Sequence, residues 1–102
     1  MNTEIYITKR DGKREAFSIE KIKSAISKAF LSVGGFATQE TLTGILSRLS
    51  ISNGTTVEEI QNQVEVALMA EQYFSVAKSF MLYRQKHLED REVRDKLAFL
   101  ID

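Results

Sequence analysis

The fold is decided by residues 5–18, which read IYITKRDGKREAFS. Ile5 and Ile7 occupy alternate positions, the pattern of a half-buried strand, and a second extended run follows an Asp-Gly pair. Glycine tolerates the positive φ that a tight turn requires. The sequence therefore predicts a β-hairpin over roughly residues 4–17.

Positive charge is concentrated at the tip of this hairpin, at Lys9, Arg10, Lys13 and Arg14. The whole chain of 102 residues is neutral, with 14 basic and 14 acidic side chains, yet residues 1–28 carry a net charge of +3 and the remainder −3. Surface potential is set by charges within about one Debye length, ~8–10 Å. The charge distribution therefore predicts a local anion site without general affinity for polyanions.

Helical spacing of apolar residues predicts four helices after the hairpin, over roughly residues 18–33, 38–49, 56–71 and 73–87. Ser18 is a candidate N-cap, Thr56 and Glu59 form a capping-box pattern, and Gly34-Gly35 ends the first helix. The predicted core includes Ile26, Phe30, Val33, Leu42, Ile45, Val64, Leu68, Val76, Phe80 and Tyr83. The fold class is therefore α+β, with a small sheet capping about four helices.

Composition excludes several classes of function. The chain has no cysteine, which excludes disulfides, cysteine-ligated zinc, iron–sulfur clusters and thiol catalysis, and His87 is its one histidine. No nucleophile–base pair is recognisable, and neither a Walker A loop nor a Rossmann glycine pattern occurs. No apolar run approaches the ~20 residues that cross a bilayer, and no signal-peptide core is present. We therefore expect a non-catalytic cytoplasmic domain without membrane partners.

The hairpin and the first helix together have the chemistry of a phosphate site. Cations from the strand end, backbone N–H groups near Gly12 and Lys21, one turn into the helix, can converge on one anion. From the residues alone, a solvated charged tip, a nucleic-acid-binding module and a structural docking domain remain alternatives. The apolar cluster at residues 97–101 favours continuation into a longer protein.

Two separated blocks resemble the signatures of the ATP-cone family. The first is residues 5–22, with K-R-D-G at its centre, and the second begins with TVEEIQ at residues 56–61 and continues through Tyr83-Arg84. The resemblance implies a nucleotide-binding regulatory domain over residues 1–91 and a linker helix over 92–102 that leads to a catalytic domain.

The family resemblance implies that ATP activates and dATP inhibits an attached ribonucleotide reductase, through homo-oligomer packing or ordering of a catalytic segment. The second block looks most similar to the anaerobic, glycyl-radical class, and cones on aerobic subunits are the alternative. The family's transcriptional repressor carries a cysteine zinc ribbon, so a chain without cysteine is expected not to be that repressor. Mg²⁺ is expected as a partner of the phosphates and not as a side-chain site.

The resemblance also implies roles for single residues. Lys9, Arg10 and Lys21 would contact the triphosphate, with the turn residues Asp11 and Gly12 beside it. The residues expected to line the base and sugar, or to be simple core, are Ile7, Phe17, Ile22, Val57 and Tyr83. Ser18 is an N-cap or a ligand contact, Glu15 would hold Lys9 or the ribose, and His87 would face the phosphates or solvent. Gln61 stands where some relatives have a histidine that helps to hold a second nucleotide.

Overall fold

The computed structural model describes residues 4–86. Strands β1 (Tyr6–Thr8) and β2 (Arg14–Ala16) pair in antiparallel fashion, with Ile7 opposite Glu15, and form the predicted hairpin. The Gly12 N–H donates to the Lys9 carbonyl (2.9 Å), the Lys9 N–H donates to the Lys13 carbonyl (2.7 Å), and Gly12 has φ of 86°. Residues 10–12 form a three-residue loop between the paired Lys9 and Lys13. The last loop position needs glycine, because its backbone adopts the left-handed conformation.

The outer edge of β1 is also paired, with the segment that precedes the third helix. The Gly54 N–H donates to the Tyr6 carbonyl (2.9 Å), and the Thr8 N–H donates to the Thr55 carbonyl (3.0 Å). The Tyr6 N–H donates to Asn53 Oδ1 (2.9 Å), and Thr8 forms a parallel bridge with Thr56. The hairpin is therefore attached by backbone hydrogen bonds to the start of that helix.

Within residues 4–86, four helices follow the hairpin, as predicted, and the fold is α+β. They are α1 (Ile19–Ser32), α2 (Gln39–Leu46), α3 (Val57–Ala70) and α4, which covers residues 74–86. Helix α2 is shorter than predicted, because Arg48 and Leu49 bond three residues back, to the Ile45 and Leu46 carbonyls, in a tighter turn.

The ends of the helices agree in part with the predicted caps. Thr56 Oγ1 accepts from the Glu59 N–H (3.0 Å), while the Glu59 carboxylate accepts from the Thr56 N–H (3.3 Å), which completes the capping box. Ser18 stands at the N-cap of α1, but its hydroxyl makes no capping hydrogen bond. The predicted N-cap position is therefore confirmed, and the hydroxyl adds no bond to the free N–H groups of the first turn.

The α1 C-terminus forms a Schellman motif. The Gly35 N–H donates to the Phe30 carbonyl (3.0 Å), the Gly34 N–H donates to the Leu31 carbonyl (3.1 Å), and Gly34 has φ of 84°. These bonds satisfy carbonyls that a helix end leaves free. They also turn the chain toward α2.

The core lies between the four helices. Ile26, Ile45, Val64 and Leu68 are almost fully buried, and the rings of Phe30 and Tyr73 meet edge to face with centroids 5.1 Å apart. The predicted core position of Val33 is wrong, because it is 43% exposed at the end of α1. Of the two alternatives for Tyr83, the core one is wrong, because its side chain is 55% exposed on α4. Val33 follows the last helical residue, where the chain leaves the packed face.

Some sequence-based predictions fall outside the described residues. These are the role of His87 and the linker helix over residues 92–102. Within residues 4–86, the structure has no helix with the length and apolar character needed to cross a bilayer.

Gly34→Ala should destabilise the fold by about 1–2 kcal/mol, because the methyl group enters open space but forces a left-handed backbone on an L-residue. Gly35→Ala is the matched control, since its added carbon would meet only the Phe30 carbonyl at an ordinary 3.8 Å. Urea unfolding followed by circular dichroism compares the two. Equal stability of both variants would contradict the Schellman interpretation.

Asn53→Ala should loosen the hairpin, because it removes the acceptor of the Tyr6 N–H and costs about 1 kcal/mol of local stability. Amide hydrogen exchange at Tyr6 and Thr8 is the readout, and it should accelerate roughly fivefold. Asn53→Asp keeps an oxygen acceptor and should leave exchange near the wild-type rate. Unchanged exchange in Asn53→Ala would show that this bond does not hold β1.

Candidate functional site

Two adjoining cavities lie between the hairpin and helices α1, α3 and α4, with volumes of ≈ 650 and ≈ 220 Å³. They form one continuous cleft, because the residues that line both are Glu15, Lys21, Ala25, Val57, Gln61, Tyr83 and Arg84. Backbone hydrogen bonds attach β1 to the segment before α3, and both the hairpin and α3 contribute residues to the walls of this cleft.

The larger cavity is the charged end of the cleft. Five cationic side chains line it, from Lys9, Arg10, Lys21, Lys28 and Arg84, together with the carboxylates of Glu15, Glu20 and Glu58. The excess of two positive charges favours a multiply charged anion. Arginine offers a paired set of N–H donors, and lysine acts as a point charge.

The smaller cavity is the apolar end. The apolar side chains that line it and not the larger one are Ile7, Ala16, Phe17, Ile22, Ile60, Val64 and Phe80. Tyr83 borders both ends, which explains why this aromatic residue is exposed despite its helical spacing with Phe80. A cleft with cations at one end and apolar walls at the other suits an anion that carries a flat, weakly polar group.

Carboxylates inside the cleft already pair with two of its cations. Lys21 Nζ donates to Glu15 Oε1 at 2.9 Å, and Arg10 Nη2 lies 3.1 Å from Glu58 Oε1. The hydrogen bond from Lys21, followed by the charge of Lys21, lowers the pKa of Glu15 below its usual value. The predicted partner Lys9 acts on the pKa of Glu15 only as a minor charge, so the main partner is Lys21.

Arg84 joins α4 to α3 at the wall of the cleft. Its Nη1 donates to Asn62 Oδ1 at 2.7 Å and to Glu65 Oε1 at 3.0 Å. The Arg84 and Glu65 side chains are only 23% and 16% exposed, so solvent screens this pair less than the others in the cleft. The Arg84 guanidinium therefore links helix α4 to helix α3.

The structure brings eleven of the fourteen predicted site residues to the cleft: Ile7, Lys9, Arg10, Glu15, Phe17, Ser18, Lys21, Ile22, Val57, Gln61 and Tyr83. Their contacts with a ligand stay predictions. Asp11 and Gly12 do not line the cleft, because both belong to the turn: Asp11 Oδ1 accepts from the Lys13 N–H (3.0 Å), a bond that lowers the Asp11 pKa. His87 lies outside the described residues.

Sequence reasoning missed several cleft residues. Ser24 and Lys28 lie one and two turns beyond Lys21 on the same face of α1, so the helical repeat applied from Lys21 would have found them. The place of Arg84 at the cleft was harder to predict from the sequence, because only its contact with Glu65 shows which face of α4 meets α3. Arg14 was grouped with the tip cations, yet its guanidinium lies 5.3 Å from the centre of the Tyr6 ring and does not line the cleft.

No group of three or more side chains able to hold a metal ion is found among residues 4–86. Glu15, Glu20 and Glu58 are the carboxylates of the cleft, and each of them already pairs with a cationic side chain. The described side chains therefore suit an anionic ligand better than a bare cation.

Comparison with known proteins points to one family. A family model described as the ATP cone domain matches residues 5–89. Three curated relatives each align with 90% of this chain: the vitamin B12-dependent ribonucleoside-diphosphate reductase of Thermoplasma acidophilum (39% identical), the ribonucleoside-diphosphate reductase subunit alpha of Chlamydia pneumoniae (33%) and the anaerobic ribonucleoside-triphosphate reductase of Salmonella typhimurium (30%).

The chain spans 13%, 10% and 13% of the length of these three relatives, respectively. They represent different kinds of reductase, so the anaerobic class expected from the second sequence block is not singled out. The family match, in contrast, covers both sequence blocks and every described element of the cleft. The chain therefore belongs to the ATP cone domain family.

Proposed function

We propose that the cleft binds a nucleoside triphosphate, ATP or dATP, and that the domain is a non-catalytic allosteric regulator of an attached ribonucleotide reductase. The observation that carries the proposal is one continuous cleft with five cations at one end and apolar walls at the other. A triphosphate attached to a planar base has the same division between charge and apolar surface. Membership of the ATP cone domain family supports this choice over other anions.

The ends of the cleft give the ligand a direction. Its phosphates meet Lys9, Arg10 and Lys21, and its base enters the apolar end, beside Phe17 and Ile22. Charge-assisted hydrogen bonds to phosphate are stronger than bonds between neutral groups, so the charged end supplies most of the polar binding energy. Mg²⁺ enters with the phosphates, where it neutralises part of their charge.

Regulation requires that the two nucleotides stabilise different states of the parent protein. ATP and dATP differ only at the 2′-hydroxyl of the sugar, so the discriminating contacts lie where the ribose sits, in the part of the cleft shared by both cavities. Glu15 and Gln61 are polar side chains of that shared part. In this proposal ATP activates the reductase and dATP inhibits it.

The parent protein is proposed to be a cytoplasmic ribonucleoside-triphosphate reductase of the anaerobic, glycyl-radical class, which changes its oligomeric packing through the cone. The resemblance of residues 56–84 to that class supports the assignment. An aerobic parent is the alternative, and the relatives include a ribonucleoside-diphosphate reductase subunit alpha as well as an anaerobic ribonucleoside-triphosphate reductase. The radical type of the parent's catalytic domain, read by electron paramagnetic resonance, distinguishes them.

Removal of the cleft lysines should weaken nucleotide binding. Lys9→Ala and Lys21→Ala should each raise the dissociation constant for ATP by about 10- to 100-fold, as expected for loss of a charged hydrogen bond. The Lys21 change also leaves the Glu15 carboxylate without its main partner, facing the phosphates. Isothermal titration calorimetry of the 102-residue chain with ATP and with dATP is the measurement.

Lys13→Ala is the matched control, since it removes the same charge from the same hairpin at a position that does not line the cleft. Equal losses in all three variants would indicate a general field effect and would contradict a specific site. Absence of binding of either nucleotide at millimolar concentration would refute the proposal. Binding of a short DNA duplex that ATP does not displace would favour a nucleic-acid-binding module instead.

A further inference from the structure

Arg10 is bound by a carboxylate of the protein itself. Its Nη2 lies 3.1 Å from Glu58 Oε1, and the side chains are 35% and 52% exposed. Both residues line the larger, charged cavity and neither lines the smaller one. The ion pair therefore lies on the charged side of the cleft, away from the apolar side chains that line only the smaller cavity.

Because of this placement, Glu58 and a phosphate group would compete for the same N–H donors of Arg10. A guanidinium presents N–H groups that fit either a carboxylate or a phosphate. A ligand whose base occupies the apolar end extends its phosphate chain through the shared part, lined by Lys21, before it reaches Arg10. Its terminal phosphate is thus the group that meets the Arg10–Glu58 pair.

Glu58 is held close to this position by the fold. It lies in the first turn of α3, directly after the Thr56 cap, where the helix dipole favours an acidic residue. Thr56 in turn bridges to β1, so the backbone that carries Glu58 is attached to the hairpin that carries Arg10. Rotation of either side chain can separate the pair without moving these elements.

We propose that Glu58 is an internal competitor for the terminal phosphate: its carboxylate holds the Arg10 guanidinium and must release it when a nucleoside triphosphate binds. The inference rests on the proposed function, because it assigns the charged end to phosphate. Glu58 lowers the affinity of the site in two ways, through the ion pair that must break and through repulsion of the incoming phosphate near Arg10.

Replacement of Glu58 should therefore tighten binding. In Glu58→Gln, the dissociation constant for ATP should fall about two- to fivefold, the modest change expected for a half-exposed ion pair. Glu59→Gln is the matched control: it removes the same charge from the same helix turn, keeps an oxygen acceptor for the Thr56 N–H, and does not line the cleft. Its dissociation constant should equal that of the wild-type chain.

The same comparison in an Arg10→Ala background tests the role of Arg10. There the gain from Glu58→Gln should be smaller, because no guanidinium remains to be released and only the repulsion of the phosphate is relieved. A gain of equal size in that background would show that Glu58 acts without Arg10 and would overturn the assignment. Unchanged or weaker ATP binding in Glu58→Gln, with the fold intact by circular dichroism, would overturn it as well.

Titration with inorganic tripolyphosphate separates this inference from the proposed function. If the wild-type chain binds no ATP, but Glu58→Gln binds tripolyphosphate more tightly than the wild type does, the proposed function fails and the competition stands. If ATP binds equally to the wild-type chain and to Glu58→Gln, the competition fails and nucleotide binding stands. If neither anion binds to either chain, both are refuted.

Discussion

The pairing of β1 along both of its edges is the constraint on which the rest of the structure depends. One edge carries β2, and the other bonds to the segment just before α3, through the Gly54 and Thr55 backbone and the Asn53 side chain. A two-stranded hairpin alone is marginally stable in water, so this second edge supplies necessary support. It also places the hairpin tip at the N-terminus of α3, where the charged end of the cleft lies.

The electrostatics of the cleft follow from that placement. The fold brings cations from the hairpin, α1 and α4 to one cavity and supplies carboxylates that pair with some of them. Glu15 faces Lys21 across the hairpin–helix boundary, and Glu58 faces Arg10 across the junction with α3. These internal pairs limit the repulsion between neighbouring cations, and an anion must displace or accommodate them to bind. The neutral charge of the whole chain is thus compatible with a strongly organised local site.

Local sequence signals predicted most of the fold, and the family resemblance supplied most of the residues expected at the cleft. The Asp-Gly turn, the Thr56–Glu59 capping box and the glycine pair after α1 each act within a few residues, and all three are confirmed. The attachment of β1 to residues 53–56 was not predicted, because it joins segments that are 47 residues apart in the sequence. The partner of Arg10 was missed for the same reason. Tyr83 was left open between the core and the base pocket, because helical spacing cannot distinguish a core position from a position at the wall of a cleft.

The proposed function requires that one ligand spans the charged and apolar ends of the cleft at the same time. Nuclear magnetic resonance of the isotope-labelled chain during titration with ATP tests it most directly, since backbone and methyl signals report on each wall separately. We expect the chemical-shift changes to concentrate on residues 7–10, 15–28, 57–64 and 80–84, with the methyl signals of Ile7, Ile22 and Ile60 among them. Changes centred on α2, or changes confined to the cationic tip while those methyl signals stay constant, would contradict it.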